Sequence, residues 1–380
     1  MSSPSQKLWT LVPVALAAAA ALTVSPAQAQ EGRFGGPTLV PSIDSIVPNT
    51  GNTSAVTNWR LTAGSTFNGV QGAFDATALL LFTSQGLSGT YACSGSLMKG
   101  GEYVLTAAHC ADGLISMTVQ FGYTNGVALE TRSVTQAIVN PGWDGTLDTG
   151  ADVALVKLDS KVTTLQGYSL STTNDIGKDY IITGYGTSGV GSAASGPNWN
   201  DSSYGHYGYN TFDVESSVFN TAWDAFSGEA NYVAPTYGVT YVSDFDSFEI
   251  ADPARYNTLQ RVADTAGGSW TSSAGLGANE ALIAGGDSGG GDFIWDGSEW
   301  VLSAVHSWGW QFCGGRMTPS CDYRGNNSSS YGDLSGSTAV FSHAAWINST
   351  INPVPEPGTY ALALMGLAVV GGAVRRRRQA

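Results

Sequence analysis

The amino-acid sequence predicts an all-β protein, on three observations. Its apolar runs are short, of strand rather than helix length. Clusters of Gly, Ser, Thr and Asn break them at frequent intervals. Charged residues make up only 12% of the 380 positions, against 42% hydrophobic residues and 49 glycines. Short apolar runs bounded by turn residues are the pattern of a barrel or sandwich. The hydrophobic content suffices for a substantial core, which excludes disorder of the whole chain.

Taken in order, residues 30–65 are polar and rich in Gly, Pro, Ser and Thr, and read as a leader or linker. Strand-like runs follow at 78–82, 103–107, 153–158 and 180–183. Residues 188–231, rich in Gly, Ser, Asn, Tyr and Trp with weak periodicity, read as a long surface insertion. Strand-like segments resume at 237–242, 280–283 and 300–305, and residues 339–347 suggest a strand followed by a short terminal helix. One body spanning 66–350 accounts for all of these. No internal repeat is visible.

The two ends differ from this body. Lys7 gives a positive start, residues 8–24 are mostly apolar, and Ala27-Gln28-Ala29 forms a small-x-small cleavage site. Residues 1–29 therefore read as a signal peptide, with the mature chain beginning at Gln30. At the other end, the apolar run 359–374 meets four arginines at 375–378. That run is shorter than the ~20 residues of a comfortable helical span, and the arginines would hold its end in the cytoplasm. Pro355-Glu356-Pro357, the apolar run and the arginine cluster together resemble the PEP-CTERM sorting signal of Gram-negative bacteria. The resemblance implies an exported protein, extracellular or at the cell surface. Its tail, 351–380, would anchor it transiently as a short transmembrane helix until an exosortase-type enzyme cuts near Pro-Glu-Pro. A simple C-terminal anchor is the alternative reading. The formal net charge of −14 repels nucleic acid and anionic membranes, which excludes both as partners of the body.

The four cysteines are Cys93, Cys110, Cys313 and Cys321. An even number in an exported chain predicts two disulfides. None forms a C-x-x-C, so no metal or redox site is expected, and nothing calls for a cofactor.

Three separated sites carry chemistry. Hydrolysis of an amide needs a nucleophile, a base to take its proton, and donors for the oxyanion. The first site is Leu105-Thr106-Ala107-Ala108-His109-Cys110, a histidine at the end of an apolar strand beside a cysteine, which Cys93 could staple. The second is Asp152, which opens the apolar run Val153-Ala154-Leu155-Val156. A carboxylate so placed is partly buried and needs a partner. The third is Gly285-Gly286-Asp287-Ser288-Gly289-Gly290-Gly291, where glycines permit a tight turn and close approach of substrate. Asp144 and Asp148 lie in a Gly/Thr-rich loop with no strand to position them. His206, His306 and His343 lack the context of His109 and read as surface or packing residues.

Thr-Ala-Ala-His-Cys, Asp-Val-Ala-Leu and Gly-Asp-Ser-Gly-Gly, in that order, resemble the trypsin/chymotrypsin family of serine proteases. The resemblance runs from about residue 78 to 347 and implies two antiparallel six-stranded β-barrels with the active site between them. It assigns His109 as general base, Asp152 as its orienting acid and Ser288 as nucleophile, with the Gly286 and Ser288 N–H groups as oxyanion donors. Ser307-Trp308-Gly309 resembles the segment lining the substrate cleft. Leu282, followed by Ile283, takes the place of the aspartate that trypsin-like enzymes carry at the pocket base, and Ala284 that of the pocket cysteine. Cys313 and Cys321 are then expected to pair locally. The family's activating N-terminus is not visible. Arg60-Leu61 and Asn68-Gly69 are candidate cleavage points, and the inserted amine would meet Asp287.

The function expected is an exported serine endopeptidase acting on protein or peptide substrates. The alternative is a catalytically silent surface or biofilm-matrix binding protein on the same fold.

Overall fold

The strand-length runs between residues 77 and 158 fold into a closed barrel. The computed structural model describes residues 25–26, 56–192, 200–228, 237–247, 252–283, 285–312, 317, 319–321, 323 and 329–352. The barrel strands are β1 (Thr77–Ser84), β2 (Tyr91–Leu97), β3 (Tyr103–Thr106), β4 (Leu114–Phe121), β5 (Glu130–Val139) and β6 (Ala154–Leu158). Their order is β2-β1-β4-β5-β6-β3, and pairing of β2 with β3 closes the circuit. Leu80, Leu97, Leu105 and Phe121 point inward and are buried. Each such side chain contributes about 1.5–3 kcal/mol by leaving water. A two-residue strand at Ser25–Pro26 runs parallel beside Tyr91 and Ala92.

A second antiparallel sheet holds β7 (Asp179–Gly184), β8 (Gly205–Thr211), β9 (Thr240–Asp244), β10 (Gly291–Trp295), β11 (Trp300–Trp310) and β12 (Leu334–Ala339) in the order β9-β12-β11-β10-β7-β8. The chain leaving β8 comes back to β9 at Val214–Glu215, bringing the two ends of the sheet together. Its core is aromatic: the Tyr180 and Phe212 rings stack at 3.9 Å, with Tyr241 4.5 Å from Phe212. Two helices, α1 (Ser216–Ser227) and α2 (Thr258–Ala266), pack Phe219, Leu259 and Val262 against Trp308 and Trp310. The chain's last described helix, α3 (Ala344–Ile351), returns Ile347 to the first barrel's core.

The expected strands are present except at 280–283, where Glu280 makes only an isolated bridge to Tyr209. Two other expectations are corrected. Residues 188–231 are not simply a surface insertion, because β8 and α1 lie within them. The Gly/Asn/Tyr composition of β8 reflects close approach: a side chain on Gly208 would collide with the Ala281 methyl group. Nor is the segment before residue 65 a plain linker. Trp59 is buried, its ring 5.5 Å from that of Tyr207, and Arg60–Leu61 pairs with β8. The long excursion falls instead between β9 and β10, where α2 lies. Most of the expected signal peptide, 1–29, and all of the expected sorting tail, 351–380, except residues 351 and 352 lie outside the described residues. Among the described residues no helix is long and apolar enough to cross a membrane.

Candidate active site

Register brings His109 and Asp152 together. β3 and β6 are antiparallel with Thr106 opposite Ala154. The residues just after β3 therefore face those just before β6. His109 sits in the single helical turn Ala108–Ala111 that follows β3. Its Nδ1 lies 2.7 Å from Asp152 Oδ2, and its backbone N–H donates to Asp152 Oδ1 at 3.0 Å. Asp152 is fully buried. A third donor, the Ser307 hydroxyl, reaches Asp152 Oδ2 at 2.6 Å. Three donors converge on this one buried carboxylate, and an Asp152 oxygen that accepts from the ring takes the proton of His109 Nδ1. His109 Nε2 makes no hydrogen bond among the described residues.

The Cys93–Cys110 disulfide ties this turn to β2. Beside it Cys110 Sγ lies 3.7 Å from the Ser288 carbonyl oxygen, a contact rather than a hydrogen bond because a disulfide sulfur carries no proton. Cys93, His109 and Cys110 cluster closely, but both sulfurs are consumed in the disulfide and offer no thiolate to a metal. The other cysteine expectation falls partly outside the described residues, at Cys313. Cys321 is buried and disulfide-bonded.

Ser94, next to Cys93, fastens the third site to the first. Its N–H donates to Ser288 O at 2.8 Å and its hydroxyl to Gly286 O at 2.9 Å, while Tyr185 N–H donates to that hydroxyl at 2.9 Å. Gly289 has φ +79°, and a Cβ there would stand 2.5 Å from Ser94 O and 2.8 Å from Ala107 N. Only glycine lets this loop lie against the segment leading to His109. With their carbonyls and neighbours so engaged, the Gly286 and Ser288 N–H groups donate to no other group among the described residues. Asp287 is buried and accepts Gly186 N–H at 2.7 Å.

The expected substrate-binding residues are placed less simply. Leu282 is fully buried in a cluster with Phe245, Tyr256 and Tyr331, and Ile283 packs with Tyr180 and Phe212. Ser307, Trp308 and Gly309 lie in β11. The Ser307 hydroxyl is spent on Asp152, Trp308 covers Gly336 where no side chain would fit, and Gly309 pairs with Ser335. Of the candidate cleavage points, Arg60 is held by Asp201 through paired contacts of 2.8 and 2.6 Å, and Leu61 is buried. Asn68 and Gly69 occupy an exposed turn with positive φ at both.

Asp148 and Asp144 are engaged elsewhere. Asp148 accepts from Ser216 Oγ at 2.6 Å and Asn220 Nδ2 at 2.8 Å at the start of α1, and burial raises its carboxyl to about 6. Asp144 accepts Thr146 N–H. His206 pairs with Asp201 at 2.9 Å, and His343 with the Gly150 carbonyl at 2.5 Å. Sequence reasoning missed the contribution of Ser94 and a buried His306–Asp292 contact of 2.6 Å beside the Ser288 loop.

Comparison with known proteins bears on fold and sorting. No curated protein sequence matches the chain. Among solved structures, it is similar to HL collagenase (18% identity, TM-score 0.47, covering 74% of this chain and 95% of the other). It is also similar to the protease Anisep from Arthrobacter nicotinovorans (14% identity, TM-score 0.42, 70% and 90%). A third is the thermostable serine protease AL20 from an extremophilic microorganism (14%, 0.44, 72% and 95%). The Trypsin family model matches residues 64–222, a stretch that contains His109 and Asp152 and ends before Ser288. The PEP-CTERM protein-sorting motif matches residues 353–378. Residues 64–222 are thus similar to a trypsin domain, and residues 353–378 to a PEP-CTERM sorting motif.

Proposed function

We propose that this chain is an exported serine endopeptidase. The observation that carries the proposal is the buried Asp152–His109 pair, with Nδ1 held and Nε2 unengaged, beside a glycine-rich loop tied down around Ser288. In the reaction, Ser288 Oγ attacks the scissile carbonyl carbon while His109 Nε2 takes its proton. The carbonyl oxygen becomes an oxyanion received by the Gly286 and Ser288 N–H groups. Collapse expels the amine, which takes the proton from His109 and leaves an acyl-enzyme on Ser288 Oγ. Water, deprotonated by the same nitrogen, then releases the acid. Asp152 keeps the imidazole in the tautomer that accepts on Nε2 and stabilises the imidazolium. The Ser288–His109 hydrogen bond is left to form with substrate in place, as such bonds often tighten only in the complex.

The ends assign the route: 1–29 directs export, 66–350 forms the protease domain, and 351–380 holds the protein at the membrane until processing. Intact-mass analysis of the protein from a native host tests this, and retention of the arginines at 375–378 would favour a simple anchor. The catalytic reading is tested by labelling with a fluorophosphonate and by Ser288→Ala. Labelling at Ser288 and loss of casein hydrolysis by about 10⁶ in kcat are expected. A variant keeping more than a few per cent of wild-type activity would show that the nucleophile is another residue.

A further inference from the structure

The buried pair behind the Ser288 loop does not belong to the reacting set, yet it grips that loop. His306 on β11 and Asp292 on β10 are both fully buried, with His306 Nε2 2.6 Å from Asp292 Oδ1. The other ring nitrogen, Nδ1, lies 3.1 Å from the carbonyl oxygen of Asp287. The His306 backbone joins in: its N–H donates to Gly290 O at 3.0 Å, and its carbonyl accepts Gly289 N–H at 2.8 Å. Gly290 makes room, since a Cβ there would stand 2.9 Å from His306 Nδ1.

We propose that His306, oriented by Asp292, is a positioning residue for the oxyanion site, holding the peptide that joins Asp287 to Ser288. This rests on the endopeptidase reading above and names how its oxyanion donor is aimed. A trans peptide points its C=O and N–H in opposite directions. A donor that fixes the Asp287 oxygen on one side therefore fixes the Ser288 N–H on the other. The Asp287 oxygen accepts two such donors, His306 Nδ1 and the Gly290 N–H at 2.7 Å.

The protons follow from the partners. A carbonyl oxygen only accepts, so Nδ1 carries a proton, and Nε2 shares a second with Asp292. Burial alone would lower the basicity of His306, but the Asp292 carboxylate, and then Asp287, more than offset it and raise its pKa. Stability does not account for such a pair. A buried ion pair gains little or nothing over apolar residues of the same volume, and here Asp292 Oδ2 has no partner among the described residues, a further cost. The same strand serves both halves of the site, with His306 on the Ser288 loop and the adjacent Ser307 on Asp152.

The test compares wild type, Asp292→Asn, His306→Gln and the double variant Asp292→Val/His306→Val. Two readouts are used: hydrolysis of a chromogenic peptide with an apolar P1 residue, and affinity for the corresponding peptide boronic acid. Rates are normalised to the folded fraction from circular dichroism. The double variant removes both charges together and fills their space, so it stays folded even where a single change does not. Expected are a fall in kcat of about 10–100-fold with KM changed less than about twofold, and a comparable loss of boronic acid affinity. If the double variant, or any folded single variant, hydrolyses peptide within twofold of the wild-type kcat, the pair is structural only and this proposal is overturned. A wild-type protein with no peptidase activity overturns the endopeptidase reading itself, and this one with it.

Discussion

Gly289→Ala is the smallest change that should separate Ser288 from His109, the proposed nucleophile and its proposed base. Gly289 has φ +79°, where an L-residue costs about 1–2 kcal/mol. The added methyl would stand 2.5 Å from Ser94 O and 2.8 Å from Ala107 N, and nearer still to Thr106 Oγ1. Two of these three atoms are backbone of the first barrel and cannot rotate away. Restoring ordinary contact, at 3.4 Å or more, requires the loop to retreat by about 1 Å, and overpacking of this kind adds about 1–3 kcal/mol. Unfolding free energy should fall by about 2–5 kcal/mol. Ser288 is the adjacent residue, so its carbonyl withdraws from Ser94 N and its side chain from His109. A misplacement of this size costs roughly 10²-fold in kcat. Steady-state kinetics on a peptide substrate, with denaturant titration for stability, measures both. A variant with more than half the wild-type kcat would mean that the loop does not need this contact with the His109 segment.

Removing the Cys93–Cys110 bridge, across a sequence separation of 17 residues, by Cys93→Ala/Cys110→Ala should cost about 3 kcal/mol. Denaturant midpoints at unchanged m-value check it, and an unchanged midpoint counts against it. Asp246 is buried, and burial followed by the nearby Glu280 and Asp213 raises its carboxyl to about 9. A raised folded pKa stabilises at low pH, below the unfolded value, and that stability is lost as pH rises through about 9. Asp246→Asn should therefore raise the melting temperature at pH 8 more than at pH 5, and equal shifts by calorimetry at both would refute the sign. On the proposed reading, which puts Leu282 and Ile283 in the place of a pocket-base acid, peptides with P1 Leu, Ala, Val or Phe should be cleaved in preference to Arg or Lys. A cleavage profile dominated by P1 Arg or Lys would implicate an acid placed elsewhere. Asp322, outside the described residues, is the first to examine.

Legibility in the sequence depended on where each residue's partners lie along the chain. β1, β3 and β6 announced themselves through local apolar runs, and His109 through the cysteine beside it and the strand before it. Asp152 was legible for the same reason: it opens a run that is buried on both faces, so its carboxylate needs a donor. β8 was not legible, because its glycines serve contacts with Ala281 and Tyr185 that are far away in sequence. Composition alone makes such a strand look like a loop. The segment at Trp59 to Leu61 failed similarly. Its strand character comes from pairing with β8, across more than a hundred residues of intervening chain.

His306 shows the same limit at the site itself. It lies in a long, mostly apolar strand, the setting of an ordinary packing histidine, and the two partners of its ring, the Asp287 carbonyl and the Asp292 carboxylate, lie 19 and 14 residues earlier. Nothing in the local pattern distinguishes it from His343, whose ring meets a backbone carbonyl and the Asn140 side chain. The difference is geometric. β10 leaves the Ser288 loop directly and β11 returns beside it, so a histidine at that register must face the loop it has just left. A polar residue on that face is either a costly accident or a support for the loop. Asp292, supplied by the adjacent strand at hydrogen-bond distance, makes the second account the stronger.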